Sequence, residues 1–372
     1  MTIKKNITNF AKPEIIFGEK SFQKLFELLE KENLKNPLLV CGKHFQKTSF
    51  FNEFKSRVPN FELFDSIEPN PSVKTVNKAA SLLNKKNCDS VIGIGGGSVL
   101  DASKIIALMK GVNSCLPFYE SFDSVKEKIP FFALSTTSGT GAEYTRYSVL
   151  TLDNGNKKTI KSEMIYSKYA IVDPVLTYSM PSKVTATTGL DAFCQAVEAY
   201  WSTTSTPETD AFAKESIILS FNNLEKSVNS PSSVSRNNMA LASITAARAF
   251  DITGTTACHS ISYAFTKLYK LEHGFAVALT LPWFLEFYSK TNPETEKKCL
   301  EICSFIGAKN IIGAREKIVK LMKSINSPTS LREIGAKKDD FEKIIELSMD
   351  QKSNNPRQHS IEDIRNLLEE IF

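Results

Sequence analysis

The sequence lacks long hydrophobic runs, basic blocks and low-complexity segments, and each absence excludes a class of protein. No run of about 18 apolar residues occurs, so we expect no membrane-spanning helix. The opening residues M-T-I-K-K-N-I-T-N-F lack the apolar segment of a secretory signal peptide. The net charge of +5 is spread over lysine-rich stretches instead of forming a basic patch. We therefore expect neither a membrane nor a nucleic acid as a partner.

The cysteines are too few and too irregularly spaced to form a disulfide framework. There are seven of them, an odd number, and they are scattered along the chain. Without a secretory signal, they are typical of reduced thiols in a cytoplasmic protein. Cys194 and Cys258 each precede a candidate metal ligand by one position, but we interpret both as small buried core residues.

The 372 residues are enough for two ordinary domains, and the first half alternates between strand and helix patterns. Strands or extended segments are predicted at Ile7–Phe17, Pro37–Gly42, Phe61–Phe64, Ser90–Ser98 (which runs into a glycine turn) and Tyr169–Asp173, and a β-hairpin is predicted to join Tyr147–Thr151 to Lys157–Ile160. Helices are predicted at Glu19–Lys31, Val73–Lys85 and Val99–Met109. This alternation predicts an α/β domain with a doubly wound parallel sheet over residues 1–180.

From Pro181 onward, apolar residues recur with the 3.6-residue period of α-helices. Helices are predicted at Ala186–Ser202, Pro207–Val228, Ser233–Asp251, Ala257–Leu268, Ala276–Ser289, Thr295–Gly307, Ala314–Ile325, Lys338–Met349 and Ile361–Ile371. The pattern predicts an all-α domain over residues 181–372. We expect the candidate sites described next to lie in a cleft between the two domains.

One helix of the second half carries a buried carboxylate. Asp191 and Gln195 are four residues apart, so they lie one turn from each other on a helix whose surroundings are apolar. A carboxylate inside such a helix is costly unless it is paired or bound to a metal. Together with His259 and His273, these side chains are ligand types of a catalytic divalent metal that keeps one position open. The alternative is a helix-capping aspartate, a core glutamine and two unrelated histidines.

Two polar loops that follow predicted strands have features of phosphate binding. The first, Gly95–Ser98, leads into a helix whose free N–H groups and positive dipole end attract a pyrophosphate. It is not the G-x-G-x-x-G fingerprint, and a simple tight turn is the alternative. The second, Leu134–Thr145, is dense in glycines and in hydroxyl groups that can donate to phosphate or ribose oxygens. The alternative for this loop is a Ser/Thr-rich surface segment.

These segments together resemble the iron-containing (group III) alcohol dehydrogenases over nearly the whole chain. The family patterns are G-x-D-A-x-x-H-A-x-E-x-Y, followed by H-x-x-x-H and P-H-G-x-x-x-A-x-x-L-P. Asp191, His259 and His273 match three of the four metal ligands of the family. Gln195 stands where the fourth ligand is normally histidine, and Tyr263 stands where the second histidine of H-x-x-x-H lies near the reacting centre.

The resemblance also implies a binding site for a nicotinamide dinucleotide. The glycine turn and its helix match the family pattern G-G-G-S-x-x-D-x-x-K, and the second loop is similar to P-T-T-x-G-T-G-S-E-x-T. The implied cofactor-binding residues are Gly42, Lys43, Gly95, Gly96, Gly97, Ser98, Asp101, Thr136, Thr137, Thr140, Thr145 and Lys157.

The fold implied by the resemblance is that of dehydroquinate synthase. The implied activity is that of a metal-dependent alcohol dehydrogenase or aldehyde reductase. We expect the protein to be cytoplasmic and to form a homodimer. A divalent metal, Fe²⁺ or Zn²⁺, polarises the carbonyl oxygen while hydride moves between NADP(H) or NAD(H) and the carbonyl carbon. His259, His273 and Tyr263 are the implied catalytic residues. Two alternatives from other classes stay open: a dehydroquinate-synthase-like lyase, and a sensor or scaffold that has lost its metal.

The variant helix pattern D-A-x-x-Q-A-x-E-x-Y-W-S is similar to the phosphonoacetaldehyde reductase branch of the family. It predicts a small aldehyde with an anionic head group as the substrate. Arg146, Lys161 and Arg357 are predicted to bind that group, because the planar fork of arginine suits a phosphonate. The alternative is that all three are surface cations and that the substrate is a neutral short-chain aldehyde or diol.

A first prediction concerns the choice between NADP(H) and NAD(H). Family members specific for NAD carry an aspartate after the strand that ends at Val40–Cys41 here, whereas this chain has Gly42 followed by Lys43. Without that carboxylate, a 2′-phosphate is not repelled and Lys43 can pair with it. We expect Gly42→Asp to lower the ratio of kcat/KM for NADPH over NADH by about tenfold, or about 1.4 kcal/mol. An unchanged ratio would contradict this prediction.

Overall fold

The structure is a computed structural model that describes residues 11–372. The described chain forms two compact units. One consists of the chain up to Thr136 together with Ala142–Leu176, and the other consists of Thr137–Gly141 together with Thr177–Phe372. The first unit has an α/β architecture and the second is helical, so the predicted fold class is confirmed.

The α/β unit is built on a parallel sheet. Its strands are β1 (Glu14–Phe17), β2 (Pro37–Cys41), β3 (Glu62–Phe64), β4 (Ser90–Gly95), β5 (Phe131–Ser135), β6 (Tyr147–Thr151), β7 (Lys157–Lys161) and β8 (Tyr169–Val172). Six of them lie in the order β1-β8-β5-β4-β2-β3 with parallel pairing throughout, and β6 and β7 form a separate antiparallel hairpin. Successive strands from β1 to β5 are connected by α1 (Lys24–Lys31), α2 (Ser49–Arg57), α3 (Val73–Lys85) and α4 (Gly97–Ile106).

The sheet is covered by apolar side chains on both faces. Leu38 and Val40 of β2 pack on one face into a core that includes residues of α3 and α4. Leu39 and Cys41 pack on the other face with residues of α1 and α2. Because side chains alternate along a strand, a strand buried on both faces has a continuous apolar run in its sequence. This is why the doubly wound arrangement was predictable.

A buried lysine fastens the hairpin to α4. Lys104 Nζ donates to the carbonyl oxygen of Tyr147 at 2.5 Å and to Thr145 Oγ1 at 3.3 Å. Asp101 of the same helix accepts the N–H of Val149 at 3.0 Å, and its carboxylate lies 3.5 Å from Lys104 Nζ. These contacts replace the water that both charged groups lose on burial. They also hold α4, the helix that begins at the glycine turn, against the hairpin.

The second unit is formed by helices. They are α5 (Ser182–Trp201), α6 (Pro207–Asn229), α7 (Ser233–Thr253), α8 (Ala257–Tyr269), α9 (His273–Ala278), α10 (Leu281–Ser289), α11 (Pro293–Phe305), α12 (Ile311–Ser324), α13 (Phe341–Ser348) and α14 (Ile361–Glu370). In the described chain, none of the helices is both long enough and apolar enough to span a bilayer. The prediction of an all-α second half is confirmed.

The structure corrects the predicted helix Ala276–Ser289. The chain forms two helices there, α9 and α10, with a break at Leu279–Thr280. Pro282 has no N–H to donate, and in a continuous helix its ring would clash with the carbonyl group of Ala278. Pro282 lies instead in the first turn of α10, where the missing N–H has no intrahelical partner to lose.

Two other elements differ from the sequence prediction. Helix α2 was not predicted; it begins after Thr48, whose side chain accepts the N–H of Phe51 at 3.3 Å. Strand β1 covers Glu14–Phe17 of the extended segment that was predicted at Ile7–Phe17. The part of that segment from Ile7 to Phe10 lies outside the described residues.

Gly274 allows α9 to pack directly against α5. A Cβ atom at this position would lie 1.8 Å from the carbonyl oxygen of Thr187 and 3.1 Å from the backbone nitrogen of Asp191. Both neighbours are backbone atoms, which cannot move aside as a flexible side chain can. The contact therefore requires glycine, and it sets the distance at which His273 lies from Asp191.

We expect Gly274→Ala to destabilise the protein by about 1–3 kcal/mol, the usual cost of overpacking. The measurement is the urea unfolding midpoint at an unchanged m-value. Gly313→Ala in α12 is the matched control, because its added Cβ would meet only Asn310 Oδ1 at 3.4 Å. The control should leave stability unchanged or raise it by up to about 1 kcal/mol, since alanine favours helix over glycine. Equal midpoints for the two variants would contradict the prediction.

Candidate metal centre

Three helices bring the candidate metal ligands together. Asp191 lies on α5, His259 on α8 and His273 at the first position of α9. One ligand atom from each residue lies within 4.8 Å of the other two. Asp191 Oδ1 is 3.3 Å from His259 Nε2 and 3.8 Å from His273 Nε2. One carboxylate and two imidazoles are a donor set suited to zinc or ferrous iron.

Asp191 is kept ionised although its side chain is only 4% exposed. Burial acts to raise its pKa. The hydrogen bond with His259 and the charge of His273 outweigh burial and hold the pKa of Asp191 below its usual value. The ionised carboxylate is the form that binds a metal.

A second buried carboxylate, Glu198, contacts the opposite side of His259. Glu198 is fully buried and hydrogen-bonds to His259 Nδ1. Its Oε1 atom accepts the N–H of Thr256 at 3.0 Å, Thr256 Oγ1 at 2.8 Å and the N–H of His259 at 3.3 Å. Because Nδ1 is engaged, His259 presents Nε2 to Asp191 and to the site. Partners of this kind fix the tautomer and the ring orientation of metal-binding histidines.

Sequence reasoning missed Glu198, although a signal for it was present. Glu198 follows Asp191 by seven positions and Gln195 by three, so the three polar side chains lie along one face of α5. Burial disfavours the charged form of His259, but Glu198 and Asp191 outweigh it and raise the pKa of His259 to about 9. The two carboxylates therefore make this imidazole more basic than that of a free histidine.

The amide oxygen of Gln195 points to a further ligand. The side chain is 4% exposed and hydrogen-bonds to Asp191. In the part of the chain that the structure describes, no group donates a hydrogen bond to the buried Gln195 Oε1 atom. Such an unsatisfied atom costs about 1–3 kcal/mol. A divalent ion held by the three neighbouring ligands would satisfy it, so the residues present fit a metal.

Tyr263 lies on the open side of this cluster. Its ring stacks on that of His273, with 6.3 Å between the ring centroids and an angle of 28° between the planes. Both side chains are 38% exposed. The cluster therefore has a closed side, formed by Asp191 and His259, and an open side, formed by His273 and Tyr263.

The two cysteines that precede candidate ligands are core residues, as the sequence interpretation held. Cys194 and Cys258 are fully buried. Burial raises the pKa of both thiols well above the usual value, so both are neutral. A neutral thiol lacks the thiolate that binds a metal.

Several predicted nucleotide-binding residues lie at the carboxyl ends of neighbouring strands. Gly42 follows β2, Gly95 ends β4 and Thr136 follows β5. The N–H of Thr136 donates to the carbonyl oxygen of Gly95 at 3.0 Å, so the start of the second polar loop adjoins the glycine turn. Ligands of doubly wound sheets bind outside this edge of the sheet.

The first turn of α4 offers backbone N–H groups. Gly97 and Ser98 are its first residues, Gly96 is the N-cap, and no side chain among the described residues caps the helix. A Cβ atom on Gly95 would lie 2.6 Å from a valine side chain of α4, so the turn requires glycine there. Ser98 Oγ accepts the N–H of Asn70 at 3.2 Å. An uncapped helix start of this kind fits a pyrophosphate.

Four other predicted cofactor residues of the α/β unit, two that contact Lys104 and two exposed lysines, lie outside the glycine turn. Asp101 and Thr145 both contact Lys104, in the group that fastens the hairpin to α4. Lys43 is exposed directly after β2, and Lys157 is exposed at the start of β7.

The second polar loop belongs in part to the helical unit. Thr137 and Thr140 lie in the segment assigned to that unit. A Cβ atom on Gly139 would lie 2.5 Å from the side chain of Thr188 on α5. Gly141 has a positive φ of 58°, a conformation that other residues rarely adopt. Gly139 therefore allows close packing against α5, the helix that carries Asp191, and Gly141 allows close packing against Ala247 of α7.

The predicted anion-binding cations are divided between the two units. Arg146 directly precedes β6 and lies 3.6 Å from Glu163. Lys161 ends β7, so it shares one end of the hairpin with Arg146. Arg357 belongs to the helical unit, where its guanidinium lies 3.6 Å from Asp363.

Comparison with protein families matches nearly the whole chain. Residues 12–174 match the family described as iron-containing alcohol dehydrogenase. Residues 185–372 match the C-terminal part of the Fe-containing alcohol dehydrogenase family. The second match contains every candidate metal ligand.

Individual relatives extend over similar lengths. A 1,3-propanediol dehydrogenase from Citrobacter freundii is 33% identical over 83% of this chain and 83% of its own. An NADPH-dependent butanol dehydrogenase from Clostridium saccharobutylicum is 30% identical over 96% of each chain. Among solved structures, a sulfoacetaldehyde reductase from Bifidobacterium kashiwanohense in complex with NAD⁺ has a TM-score of 0.91 and 29% identity over 98% of both chains.

We expect Gln195 to be the fourth metal ligand, because its side chain hydrogen-bonds to Asp191 and its buried oxygen has no donor among the described residues. Gln195→His should tighten binding of Zn²⁺ or Fe²⁺, since imidazole is a better ligand for these ions. Gln195→Leu should weaken binding by more than the roughly 10–100-fold that loss of an outer partner costs. Calorimetric titration of the metal-free protein measures both. Gln358→Leu, the same change at an exposed position of this unit, is the control; equal affinities in all three variants would contradict the assignment.

Proposed function

The chain belongs to the iron-containing alcohol dehydrogenase family, and we propose that it reduces a small aldehyde bearing an anionic head group, with phosphonoacetaldehyde as the specific candidate. Members of this family use NAD(P) and a divalent metal. The product of the proposed reaction is 2-hydroxyethylphosphonate. The observation that carries the metal-dependent activity is the convergence of Asp191, His259 and His273, together with the buried, unsatisfied oxygen of Gln195, whose side chain hydrogen-bonds to Asp191.

In this proposal the two halves of the chain have separate tasks. Residues 1–180 bind the dinucleotide, and residues 181–372 hold the metal through Asp191, Gln195, His259 and His273. When bound, the metal polarises the aldehyde and the reduced nicotinamide supplies hydride. Glu198 orients His259 and leaves its Nε2 atom directed at the site.

The open side of the cluster is the proposed route for the substrate and for its proton. Tyr263 is partly exposed and stacked on His273. Its hydroxyl group stands where the family resemblance implies a histidine near the reacting centre. Tyr263 therefore takes part in delivering the proton that completes the alcohol, in exchange with solvent.

Either nucleotide is compatible with the residues around β2, and we propose NADP(H) at least as readily as NAD(H). Gly42 provides no carboxylate to repel a 2′-phosphate, and Lys43 next to it is exposed. Named relatives support both nucleotides: the butanol dehydrogenase is NADPH-dependent, and the sulfoacetaldehyde reductase was crystallised with NAD⁺.

Two observations support an anionic aldehyde as the substrate: the substrate named for a structural relative, and the positively charged side chains of the hairpin. The structural relative is a sulfoacetaldehyde reductase. Sulfoacetaldehyde is a two-carbon aldehyde that carries an anionic sulfonate where phosphonoacetaldehyde carries a phosphonate. Arg146 and Lys161, at one end of the hairpin, are the proposed contacts for such a head group. Arg357 is a third candidate, from the helical unit.

A neutral substrate is the second candidate. The 1,3-propanediol dehydrogenase relative, at 33% identity, acts on a small diol that carries no charge. In that case the three cations are surface residues. A cytoplasmic location and a homodimer are part of the main proposal and are compatible with both substrates.

We expect kcat/KM for phosphonoacetaldehyde to exceed that for propanal by at least about tenfold, because a charge-assisted hydrogen bond contributes about 1.5–3 kcal/mol. Arg146→Ala should raise KM for phosphonoacetaldehyde by a similar factor. It should leave KM for propanal unchanged, which controls for folding. Arg332→Ala, an arginine packed on Phe372, is the matched control. A preference for propanal would favour the neutral candidate.

A further inference from the structure

The predicted nucleotide site has no acidic residue at Gly42, but an acidic residue, Asp65, lies on the neighbouring segment of the chain. Strands β2 and β3 pair in parallel with Val40 opposite Phe64. Continuing this register by one residue places Asp65 beside Cys41, directly before Gly42. The carboxyl end of β2 has no acidic side chain of its own, but Asp65 directly follows the neighbouring strand β3.

The carboxylate of Asp65 is held in place by two donors. Gln46 Nε2 donates to Asp65 Oδ2 at 2.9 Å, and Ser66 Oγ donates to Asp65 Oδ1 at 3.1 Å. The side chain is half-buried, so part of it is accessible to a ligand. Each oxygen retains a lone pair that can accept a further hydrogen bond.

The charge of Asp65 acts at the end of β2. The hydrogen bond from Gln46 lowers the pKa of Asp65, and the positive charge of Lys43 lowers it further. Burial raises the pKa of the Cys41 thiol to about 12, and the negative charge of Asp65 contributes in the same direction. Asp65 is therefore ionised, and its field reaches both Lys43 and the residue before Gly42.

The space beside Gly42 is open to a ligand. A Cβ atom added to Gly42 would have no described heavy atom within 4 Å. Asp65, which follows the neighbouring strand, and the exposed Lys43 are charged residues next to Gly42 in strand register and in sequence. A hydroxyl group can donate to the carboxylate, whereas a phosphate is attracted by Lys43 and repelled by Asp65.

We propose that Asp65 limits the preference of this chain for NADP(H), by accepting the 2′-hydroxyl of the adenosine ribose of NAD(H) and opposing the 2′-phosphate of NADP(H). The inference rests on the proposed function in one respect, that a nicotinamide dinucleotide binds at this edge of the sheet. Lys43 acts in the opposite sense, and its attraction for a 2′-phosphate is reduced while Asp65 neutralises it. Asp65 and Lys43 therefore oppose each other at this site, and binding of both nucleotides is the expected result of that balance.

The test is direct binding of NADPH and NADH to the purified full chain, followed by nucleotide fluorescence without substrate. Asp65→Asn keeps an oxygen that can accept from Gln46 and removes the charge. It should raise the ratio of NADPH to NADH affinity by about tenfold, and Lys43→Met should lower that ratio. Glu62→Gln is the matched control, because Glu62 lies on the same strand and its carboxylate is paired with Lys86 at 3.1 Å. The control ratio should equal that of the wild type.

The outcomes separate the inference from the proposed function. If the wild type binds both nucleotides and Asp65→Asn leaves the ratio unchanged or lowers it, Asp65 is not the determinant. The same conclusion follows if Glu62→Gln shifts the ratio as much as Asp65→Asn, because the effect would then be one of net charge. If the wild type binds neither nucleotide, the proposed function itself is contradicted. Unfolding midpoints of all variants confirm that each is folded.

Discussion

The pairing of His259 with two buried carboxylates is the interaction on which the helical unit depends. Asp191 and Glu198 are both ionised on one face of α5, and removing a charge from water costs several kcal/mol unless it is compensated. His259 compensates both, because Asp191 contacts its Nε2 atom and Glu198 contacts its Nδ1 atom. α8 must therefore hold the imidazole at a fixed position beside α5. A metal bound at this position would take over the compensation, because His259 binds a metal only in its neutral form.

The second requirement is close approach of the backbones. His273 reaches Asp191 because α9 packs on α5 at Gly274, where no side chain fits. His273 is the first residue of this short helix, and its side chain is more exposed than those of Asp191 and His259. This gives the cluster its asymmetry: the carboxylates of Asp191 and Glu198 are buried around His259, while His273 and Tyr263 lie on the more exposed side. An asymmetric site of this kind has the open position that a catalytic metal needs.

Much of the fold could be predicted because burial imposes a period on the sequence. β2 is apolar at successive positions because it is buried on both faces, and the helices after residue 181 repeat their apolar residues every three to four positions. The single helix predicted over Ala276–Ser289 was wrong because apolar periodicity does not register a break that a proline imposes. Helix α2 was missed for a related reason: it is short and only two of its residues are buried.

For the site, the sequence by itself determined the types of ligand and the helix face they share, because Asp191, Gln195 and Glu198 are spaced by helical turns. Only the tertiary structure decided that His259 stands between two of them, and that no described residue donates to the Gln195 oxygen. It also decided that β3, which Asp65 follows, pairs with β2, the strand that precedes Gly42. These relations join residues on different helices or strands. Sequence spacing predicts contacts within one element, whereas contacts between elements depend on how the chain packs.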